Sequence, residues 1–536
     1  FAAWVARIRG LEPLPIFMAV ARHHGHLRSP SEITARMTSR DDVQYVKDPL
    51  GRELKAMGCQ IDDLLKSGHL VIICNELGMP EPTPFLEGEV WSLIGDLHKK
   101  GKEINRNSDN RLAYWTINRL FSCLIDADKK ASGGFRAPDR PDIPPDIVDR
   151  YVQSLPSCSA LDEMRKELYC HVNKMITKEP LDKLRARQLT LTAPTGSGKT
   201  LTVLNAGLKL RDRIYRNGDN APRIIYALPF INLIEQNYEV FHKVLQQYAS
   251  YNENPYNFLI QHHHLAPIND GVDYELKALE ERLMLTEAWD AEIVVTTFAQ
   301  LLHTLVTNRN RSLKKLHNIE NSIVILDEPQ SIPAEQWSLI KGVFDDLKKM
   351  NVTVIMMTAT QPTIFDNAIE IAPKIPSWPS RCNIERTEKR NLEELVQDVV
   401  TGSNVSRLVV VNTVRTSIEV FNRLKDMLDH PIFYLSTNIT PYERKIRLDK
   451  LRKLLNPDKT EPVTLVSTQV IEAGVDIDFE RGYREMGPLD SIVQVAGRIN
   501  RNSKRTNGNL FVFELEDSQA YRIYGRILLD TSAKHL

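Results

Sequence analysis

The stretch TAPTGSGKT, from Thr192 to Thr200, lies between a strand-like run at residues 188–191 and a helix-like run at residues 201–210. Gly196 and Gly198 allow the backbone to turn its N–H groups toward an anion at the start of a helix. The pattern therefore predicts a loop that binds the phosphates of a nucleoside triphosphate.

Two side chains of this loop have predicted roles. Lys199 can reach the β- and γ-phosphates, and the Thr200 hydroxyl can ligate Mg²⁺. Ala193 stands where the usual pattern has its first glycine. The motif alone therefore leaves an unrelated glycine-rich turn open.

The composition is that of an ordinary globular protein, with 536 residues, 42% of them hydrophobic and 26% charged. This length predicts about three or four domains. Because 69 basic residues balance 69 acidic ones, a nucleic-acid surface would have to be a local basic patch. Six scattered cysteines without a C-x-x-C pair favour free thiols in the cytoplasm over a zinc ribbon. No apolar run reaches the ~18 residues of a membrane span, so no membrane partner is predicted.

The chain changes character near residue 150. Before it, helix-like stretches alternate with Pro-rich interruptions; after it, apolar strands alternate with amphipathic helices, which is typical of parallel sheets covered on both faces. A polar break at residues 377–390 divides the strands into two α/β units. The predicted strands are Arg223–Phe230, Glu292–Phe298, Ser322–Glu328, Thr353–Thr360, Arg407–Thr413, Ile432–Thr437, Pro462–Gln469 and Asn509–Glu516.

Two adjacent carboxylates, Asp327 and Glu328, end one of these strands, where α/β folds present groups to ligands. We expect Asp327 to hold Mg²⁺, directly or through water, and Glu328 to orient and deprotonate an attacking water. A simple strand-ending turn is the alternative, since Pro329 would break the strand in any case.

The second α/β half carries two further polar segments, STQVIEAGVDIDF at 467–479 and QVAGRINR at 494–501. Arg498 and Arg501 stand at i and i+3, which predicts that they share one helical face. With Gln494, they could stabilise charge on a transferred γ-phosphoryl group, although such arginines are usually solvated. The first segment contributes three polar or small residues, Glu472, Gly474 and Asp476.

Together these segments resemble motifs I to VI of superfamily 2 helicases in order and approximate spacing. The matching segments are TAPTGSGKT, DEPQ (327–330), TAT (358–360), VNT (411–413), STQVIEAGVDIDF and QVAGRINR. Finer details resemble the helicase/nuclease of type I CRISPR systems: LPFINLIEQN (228–237), WDAEIVVTTFAQLL (289–302) and KKLHNIENSIVILDEPQ (314–330). Gln330 replaces the His or Asp of the DExH and DEAD classes, which leaves the coupling of nucleotide state to strand binding open.

The resemblance implies an α/β fold with two tandem RecA-like parallel-sheet domains, preceded by a mostly α-helical, incomplete HD-type domain. The implied domains are a partial nuclease domain with linker (1–150), a first RecA-like domain (151–385) and a second one (386–536). ATP and Mg²⁺ are the implied cofactors, and the implied ATP-binding residues are Thr195, Gly196, Ser197, Gly198, Lys199, Thr200, Gly474 and Asp476. Nucleic-acid contacts are implied for Thr297, Thr413 and Thr468.

That family usually carries an N-terminal HD-type metal nuclease. ARHHG (21–25) resembles its double-histidine motif, and SCLIDADKKAS (122–132) resembles the segment that supplies its last carboxylate. The implied ligands of a divalent transition metal are His23, His24 and Asp128, with Asp126 as second choice. The family's upstream ligands have no counterpart before His23, so we expect an incomplete site in a chain truncated at both ends. Without the resemblance, the two histidines would more simply end a helix.

The resemblance implies an ATP-dependent translocase or helicase that moves 3′ to 5′ on single-stranded DNA and has an associated metal-dependent DNA nuclease. It also implies recruitment by the RNA-guided Cascade surveillance complex and degradation of invading DNA in antiviral defence. Two alternatives stay open: a DExH-type RNA helicase and an ATP-gated, nuclease-dead nucleic-acid clamp. The sequence predicts that ATPase activity without strand stimulation would favour the clamp.

Overall fold

The computed structural model of the chain falls into two compact units. Unit 1 comprises Phe1–Arg140, Pro267–Ala291 and Ala299–Glu320, and unit 2 comprises Pro141–Ala266, Glu292–Phe298 and Asn321–Leu536. The residues that the structure describes are 2–27, 29–30, 59–76, 78–107, 110–136, 139–156, 161–263, 276–359, 365, 367–374, 381–401, 405–455, 462–472, 475, 477–501 and 508–536.

Unit 1 is built from helices. Helix Pro13–Arg22 packs along the 22-residue helix Arg111–Ser132. The longer helix buries Trp115, Phe121 and Ile125 at a helical spacing that places them on the face toward the core. Helices that lie in or enter this unit include Ala2–Ile8, Pro13–Arg22, His69–Glu76, Val90–Arg106, Arg111–Ser132, Leu276–Ala288, Phe298–Leu305 and Asn310–Leu313.

Unit 2 contains two parallel sheets. The first has seven strands in the order β3-β4-β2-β5-β6-β1-β7. Its strands are β1 (Gln188–Thr192), β2 (Ile224–Leu228), β3 (Leu259–His262), β4 (Ile293–Thr297), β5 (Ile323–Asp327), β6 (Thr353–Thr358) and β7 (Ile369–Glu370). The helices around it are Ile147–Ser154, Asp162–Lys178, Lys199–Arg216, Ile231–Leu245, Ala249–Glu253, Pro255–Phe258 and Trp337–Lys349. Because β1, β5 and β6 are neighbours and parallel, their carboxyl ends meet at one edge.

The second sheet has six strands in the order β10-β11-β9-β12-β13-β8. Its strands are β8 (Cys382–Arg386), β9 (Arg407–Val410), β10 (Ile432–Leu435), β11 (Thr464–Ser467), β12 (Arg481–Glu485) and β13 (Gly508–Phe513). Its helices are Leu392–Thr401, Val414–Met427, Pro441–Leu454, Leu489–Ala496, Ala520–Tyr524 and Arg526–His535. Neighbouring strands within each sheet pair in parallel over the described residues.

The predicted α/β class with two parallel sheets is confirmed, and each of the eight predicted strands overlaps an observed one. Four strands were not predicted: β3, β7, β8 and β12. The predicted division of the strands into two α/β units is confirmed, but β8 lies within the polar segment 377–390. It is an edge strand with largely exposed side chains, so it carries no apolar run. β12 was missed because its sequence, RGYRE, is charged although most of it is buried.

Residues 267–291 and 299–320, assigned from the sequence to the first RecA-like domain, group with the N-terminal helices. The domain boundaries near residues 150 and 385 remain predictions. Among the described residues, no helix has the length and apolar character needed to cross a bilayer. The described cysteines Cys59, Cys74, Cys123, Cys170 and Cys382 are free thiols.

Candidate nucleotide site and N-terminal metal cluster

The loop between β1 and the helix Lys199–Arg216 has the backbone that the sequence predicts. Gly196 and Gly198 have φ angles of +79° and +83°, a left-handed region that disfavours other residues. The 18-residue helix that follows directs its N-terminal N–H groups toward the loop. Ala193 is buried, has no left-handed backbone, and donates its N–H to the Thr358 carbonyl at 3.1 Å. A glycine is therefore not required at position 193.

Asp327 ends β5 at the same edge as this loop and is buried. Burial and the neighbouring Glu328 raise the pKa of Asp327 to about 7, while Lys199 and a hydrogen bond from Tyr226 oppose that rise. A cation bound nearby would stabilise the charged forms of Asp327 and Glu328. The carboxylate of Asp327 and the hydroxyl of Thr200 are hard oxygen ligands of the kind that Mg²⁺ prefers.

Glu328 is held on both sides. Its Oε1 lies 3.3 Å from Nζ of Lys199, and its Oε2 accepts a hydrogen bond of 2.6 Å from the side-chain amide of Gln330. Lys199 also donates to the Ala193 carbonyl at 2.8 Å. Glu328 itself has a φ of +54°, which is uncommon for a side-chain-bearing residue and typical of functional sites.

Gln330 also contacts the end of β6, because its side-chain oxygen accepts a hydrogen bond of 3.1 Å from Thr358 Oγ1. The residue that departs from the DExH and DEAD patterns thus connects Glu328 with Thr358. Thr360, the last residue of the TAT motif, lies outside the described residues, as do Gly474 and Asp476.

The segment after the helix Leu489–Ala496 approaches the phosphate-binding loop. A Cβ atom added at Gly497 would lie only 2.4 Å from Thr195 Oγ1, so a glycine is needed for this approach. Arg381 reinforces it: its guanidinium donates to the carbonyl of Thr195 at 2.5 Å and to that of Arg501 at 2.8 Å. The two parallel sheets of unit 2 therefore meet at the loop.

A second arginine lies on the other side of the loop. Arg165 donates to the Gly196 carbonyl at 3.1 Å and pairs with Asp162 at 3.0 Å. Burial, together with the neighbouring Arg501 and Arg165, lowers the pKa of Arg381. A small pocket lies here, lined by Leu161, Met164, Pro194, Thr195, Gly196, Ser197 and Arg381. This local excess of positive charge suits a phosphorylated ligand.

The prediction that Arg498 and Arg501 share a helical face is wrong, because the helix ends at Ala496. Arg498 is buried and donates to the carbonyl of Glu472 at 2.9 Å. The Arg501 N–H donates to Asp478 Oδ1 at 2.7 Å. Gln494 is half-buried within the helix. The roles predicted for the three side chains stay predictions.

Arg484 is the centre of a buried polar network that the sequence did not predict. Arg484 is fully buried and donates to Glu472 Oε1 at 3.0 Å, Asn412 Oδ1 at 2.7 Å and Ser491 Oγ at 2.8 Å. Burial raises the pKa of Glu472, although Arg484 opposes the rise. The network joins β12 to the segments that follow β9 and β11, the positions of motifs IV and V.

The threonines predicted to contact nucleic acid lie at or just beyond the carboxyl ends of strands. Thr297 ends β4, Thr468 follows β11, and both are buried. The Thr413 hydroxyl accepts a hydrogen bond of 3.0 Å from the Thr416 N–H and caps the helix Val414–Met427. Their nucleic-acid contacts remain predictions.

In unit 1, His23, His24 and Asp128 come together although a hundred residues separate them in sequence. Each offers one ligand atom, and these atoms all lie within 4.8 Å of one another. His23 also contacts the Val20 carbonyl through Nδ1 at 2.7 Å, and its backbone carbonyl accepts a hydrogen bond from Asn310. Imidazole nitrogens with one carboxylate fit a divalent transition metal.

Asp126, the second choice for the carboxylate ligand, belongs to a different cluster with Asp290 and His317. Nζ of Lys130 lies 2.5 Å from Asp126 and 2.6 Å from Asp290. Burial by itself would lower the pKa of Lys130, but Asp290 and Asp126 raise it. An ammonium group therefore already supplies the positive charge that these carboxylates require.

The chain is similar to known helicases. Residues 175–367 match the DEAD/DEAH box helicase family, and residues 403–504 match the C-terminal region of the CRISPR-associated nuclease/helicase Cas3. The chain is 25% identical to a CRISPR-associated nuclease/helicase Cas3 of Haloferax volcanii over 94% of its length, and 24% identical to a putative one of Methanocaldococcus jannaschii over 78%. The resemblance to Cas3 helicases is confirmed.

The fold agrees with this likeness. Crystal structures of T. fusca Cas3, alone and with AMPPNP, superpose on 100% and 99% of the chain with TM-scores of 0.63 and 0.65 at 16% identity. The chain spans 67% of the Haloferax Cas3, 59% of the Methanocaldococcus protein and 66% of the T. fusca chains. Cas3 relatives thus support a CRISPR-associated, ATP-dependent helicase, and the finer activities are proposals.

Sequence reasoning missed several residues that contact the predicted site: Tyr226, Arg165, Arg381 and Glu370. Glu370 accepts hydrogen bonds from the Thr192 N–H and hydroxyl at 3.1 and 2.6 Å and so holds the start of the loop. The one available signal was Tyr226, a polar group within an otherwise apolar strand. The other three lie outside any motif and become neighbours of the loop only through folding.

Proposed function

We propose that this chain contains an ATP-driven motor that moves along single-stranded DNA. The observation that carries the proposal is the position of Glu328, which lies between Lys199 of the phosphate-binding loop and Gln330, itself bonded to Thr358. The groups to which we assign phosphate binding, water activation and communication with strand β6 thus contact one another in turn at one edge of the first sheet.

In this proposal the loop N–H groups and Lys199 bind the ATP phosphates, while Thr200 and Asp327 hold Mg²⁺. The bound ion would neutralise charge on the β- and γ-phosphates. Glu328 orients a water and accepts its proton. The part of unit 2 that is built on the second sheet contains Arg498, Arg501 and Gln494. Closure of the cleft between the two sheets would bring the two guanidinium groups to the γ-phosphate.

Translocation would follow from alternating grip on the strand. Thr297 belongs to the first sheet, whereas Thr413 and Thr468 belong to the second. If hydrolysis opens the cleft and ATP binding closes it, contacts on one sheet can hold a phosphate while those on the other advance. The 3′-to-5′ direction comes from the resemblance to Cas3 relatives.

The same likeness supports a metal-dependent DNA nuclease, for which His23, His24 and Asp128 would supply ligands. A bound transition metal could activate a water and bind a phosphodiester. We further propose recruitment by the RNA-guided Cascade complex and degradation of invading DNA in antiviral defence, because the relatives are CRISPR-associated proteins.

Strand-stimulated ATPase measurements test the motor. We expect single-stranded DNA to increase ATP turnover by the full chain, with single-stranded RNA and duplex DNA as comparisons and Lys199→Ala as the inactive control. Stimulation by RNA alone would instead support the DExH-type RNA helicase. Turnover that no strand stimulates, combined with ATP-dependent strand retention, would support the clamp.

A further inference from the structure

Tyr226 is fully buried on β2, and its hydroxyl donates a hydrogen bond of 2.9 Å to Oδ2 of Asp327. The phenol oxygen therefore contacts Asp327, one of the two residues that are predicted to hold Mg²⁺. Neither the helicase motifs nor the catalytic roles described above include this tyrosine.

The strand register explains why a residue as long as tyrosine stands there. β2 pairs in parallel with β5, so that Tyr226 lies opposite Ile325, two residues before Asp327. Two residues of strand span about 7 Å, which the phenol ring bridges toward the carboxyl edge of the sheet.

Packing fixes the direction of that ring. Tyr226 meets Phe241 of the helix Ile231–Leu245 edge to face, with ring centroids 5.1 Å apart and an interplanar angle of 86°. This contact supports the ring on one side, while the hydroxyl bonds Asp327. A phenol is protonated at neutral pH and can donate to a carboxylate.

We propose that Tyr226 is a positioning residue whose hydroxyl orients Asp327 and thereby strengthens Mg²⁺-dependent nucleotide binding. This inference rests on the proposed function of that site. A partner that orients a metal ligand commonly contributes about 10- to 100-fold to metal affinity. The simpler alternative is that Tyr226 only fills the core and uses Asp327 to satisfy a buried hydroxyl.

Binding of a fluorescent ADP analogue to the full chain separates these alternatives. With Tyr226→Phe, we expect the Kd in Mg²⁺ to rise by about tenfold and the Kd in EDTA to stay unchanged. Equal weakening under both conditions, or no change under either, would overturn the inference. A wild-type Kd that does not respond to Mg²⁺ would instead contradict the proposed nucleotide site itself.

Tyr251→Phe is the matched control. Tyr251 is also buried in unit 2, and its hydroxyl lies 2.6 Å from Nδ1 of His242 rather than against a predicted Mg²⁺ ligand. The control should bind the analogue like the wild type with and without Mg²⁺. Loss of Mg²⁺ sensitivity in this variant too would make the effect a general consequence of removing a buried hydroxyl and would overturn the proposal.

A second measurement does not depend on the folding of Tyr226→Phe. 3-Fluorotyrosine introduced at position 226 keeps the hydroxyl and carries a ¹⁹F probe. We expect its resonance to shift when Mg²⁺ is added to the ADP-bound chain, whereas the same probe at position 251 should not respond. An unresponsive probe at position 226 would count against the positioning role.

Discussion

Gln330 donates a hydrogen bond of 2.6 Å to the Glu328 carboxylate, the proposed acceptor of the water proton. The neutral amide holds Oε2, and the Lys199 ammonium lies beside Oε1. Gln330 also accepts a hydrogen bond from the Thr358 hydroxyl. A movement of β6 would therefore change the position of the Gln330 side chain against Glu328. Gln330 thus connects the end of β6 with the proposed hydrolytic centre through two hydrogen bonds.

Gln330→Ala should lower the kcat for ATP by about 10- to 100-fold, since a hydrogen bond to a charged group contributes about 1.5–3 kcal/mol. ATP affinity should change little, because Lys199 and the loop remain. Steady-state ATPase kinetics at saturating single-stranded DNA check this. Gln246→Ala, at an exposed helix end, is the control, and an unchanged kcat in Gln330→Ala would contradict the proposed connection.

Lys199→Ala should abolish ATP hydrolysis and translocation, because no other loop side chain places a positive charge at the β- and γ-phosphates. Glu328→Gln should instead retain ATP binding and lose turnover by orders of magnitude, since Asp327 is unaltered. Paired measurements of ATP binding and strand-stimulated turnover distinguish the two. Near wild-type turnover in Lys199→Ala would contradict the nucleotide site.

Arg498→Ala and Arg501→Ala should each depress the kcat for ATP far more than they weaken ATP binding, as expected for charges that act mainly in the closed transition state. Since Arg498 is buried against the Glu472 carbonyl, its variant also needs a thermal unfolding measurement. Arg415→Ala, at a largely exposed side chain, is the control. An effect confined to strand affinity would place that arginine in the nucleic-acid surface.

His24→Ala and Asp128→Ala should each weaken binding of Mn²⁺ or Co²⁺ to the N-terminal cluster, because each removes one of three grouped ligands. Isothermal titration of the full chain with each ion measures this, with His69→Ala, an exposed histidine of unit 1, as the control. ATP turnover should be unaffected. Metal binding that persists in both variants would refute the nuclease half of the proposal.

Lys130→Met should destabilise unit 1 by ~3 kcal/mol, since it leaves the buried carboxylates of Asp126 and Asp290 without their counter-charge. Urea unfolding followed by circular dichroism measures the loss. Lys129→Met, an exposed neighbour on the same helix, should have little effect. Stability that Mn²⁺ restores in Lys130→Met would reveal a latent metal site at this cluster.

The sequence by itself determined the features that depend on local residue patterns, namely the fold class and the phosphate-binding loop. The alternation of apolar strands with helices predicted two parallel sheets, and the glycines of TAPTGSGKT predicted that the backbone turns at 196 and 198. Asp327 and Glu328 were identified because they end a buried strand. These features depend on residues that are neighbours in the chain, so spacing and residue type suffice.

Only the tertiary structure decided which distant groups meet. It placed Asp128 with the two histidines, whereas it placed Asp126 with Asp290 and His317. It also ended a helix before Arg498 and placed Tyr226 against Asp327. Helix packing, strand register and burial create these contacts. The groups that meet lie about a hundred or more positions apart in the sequence.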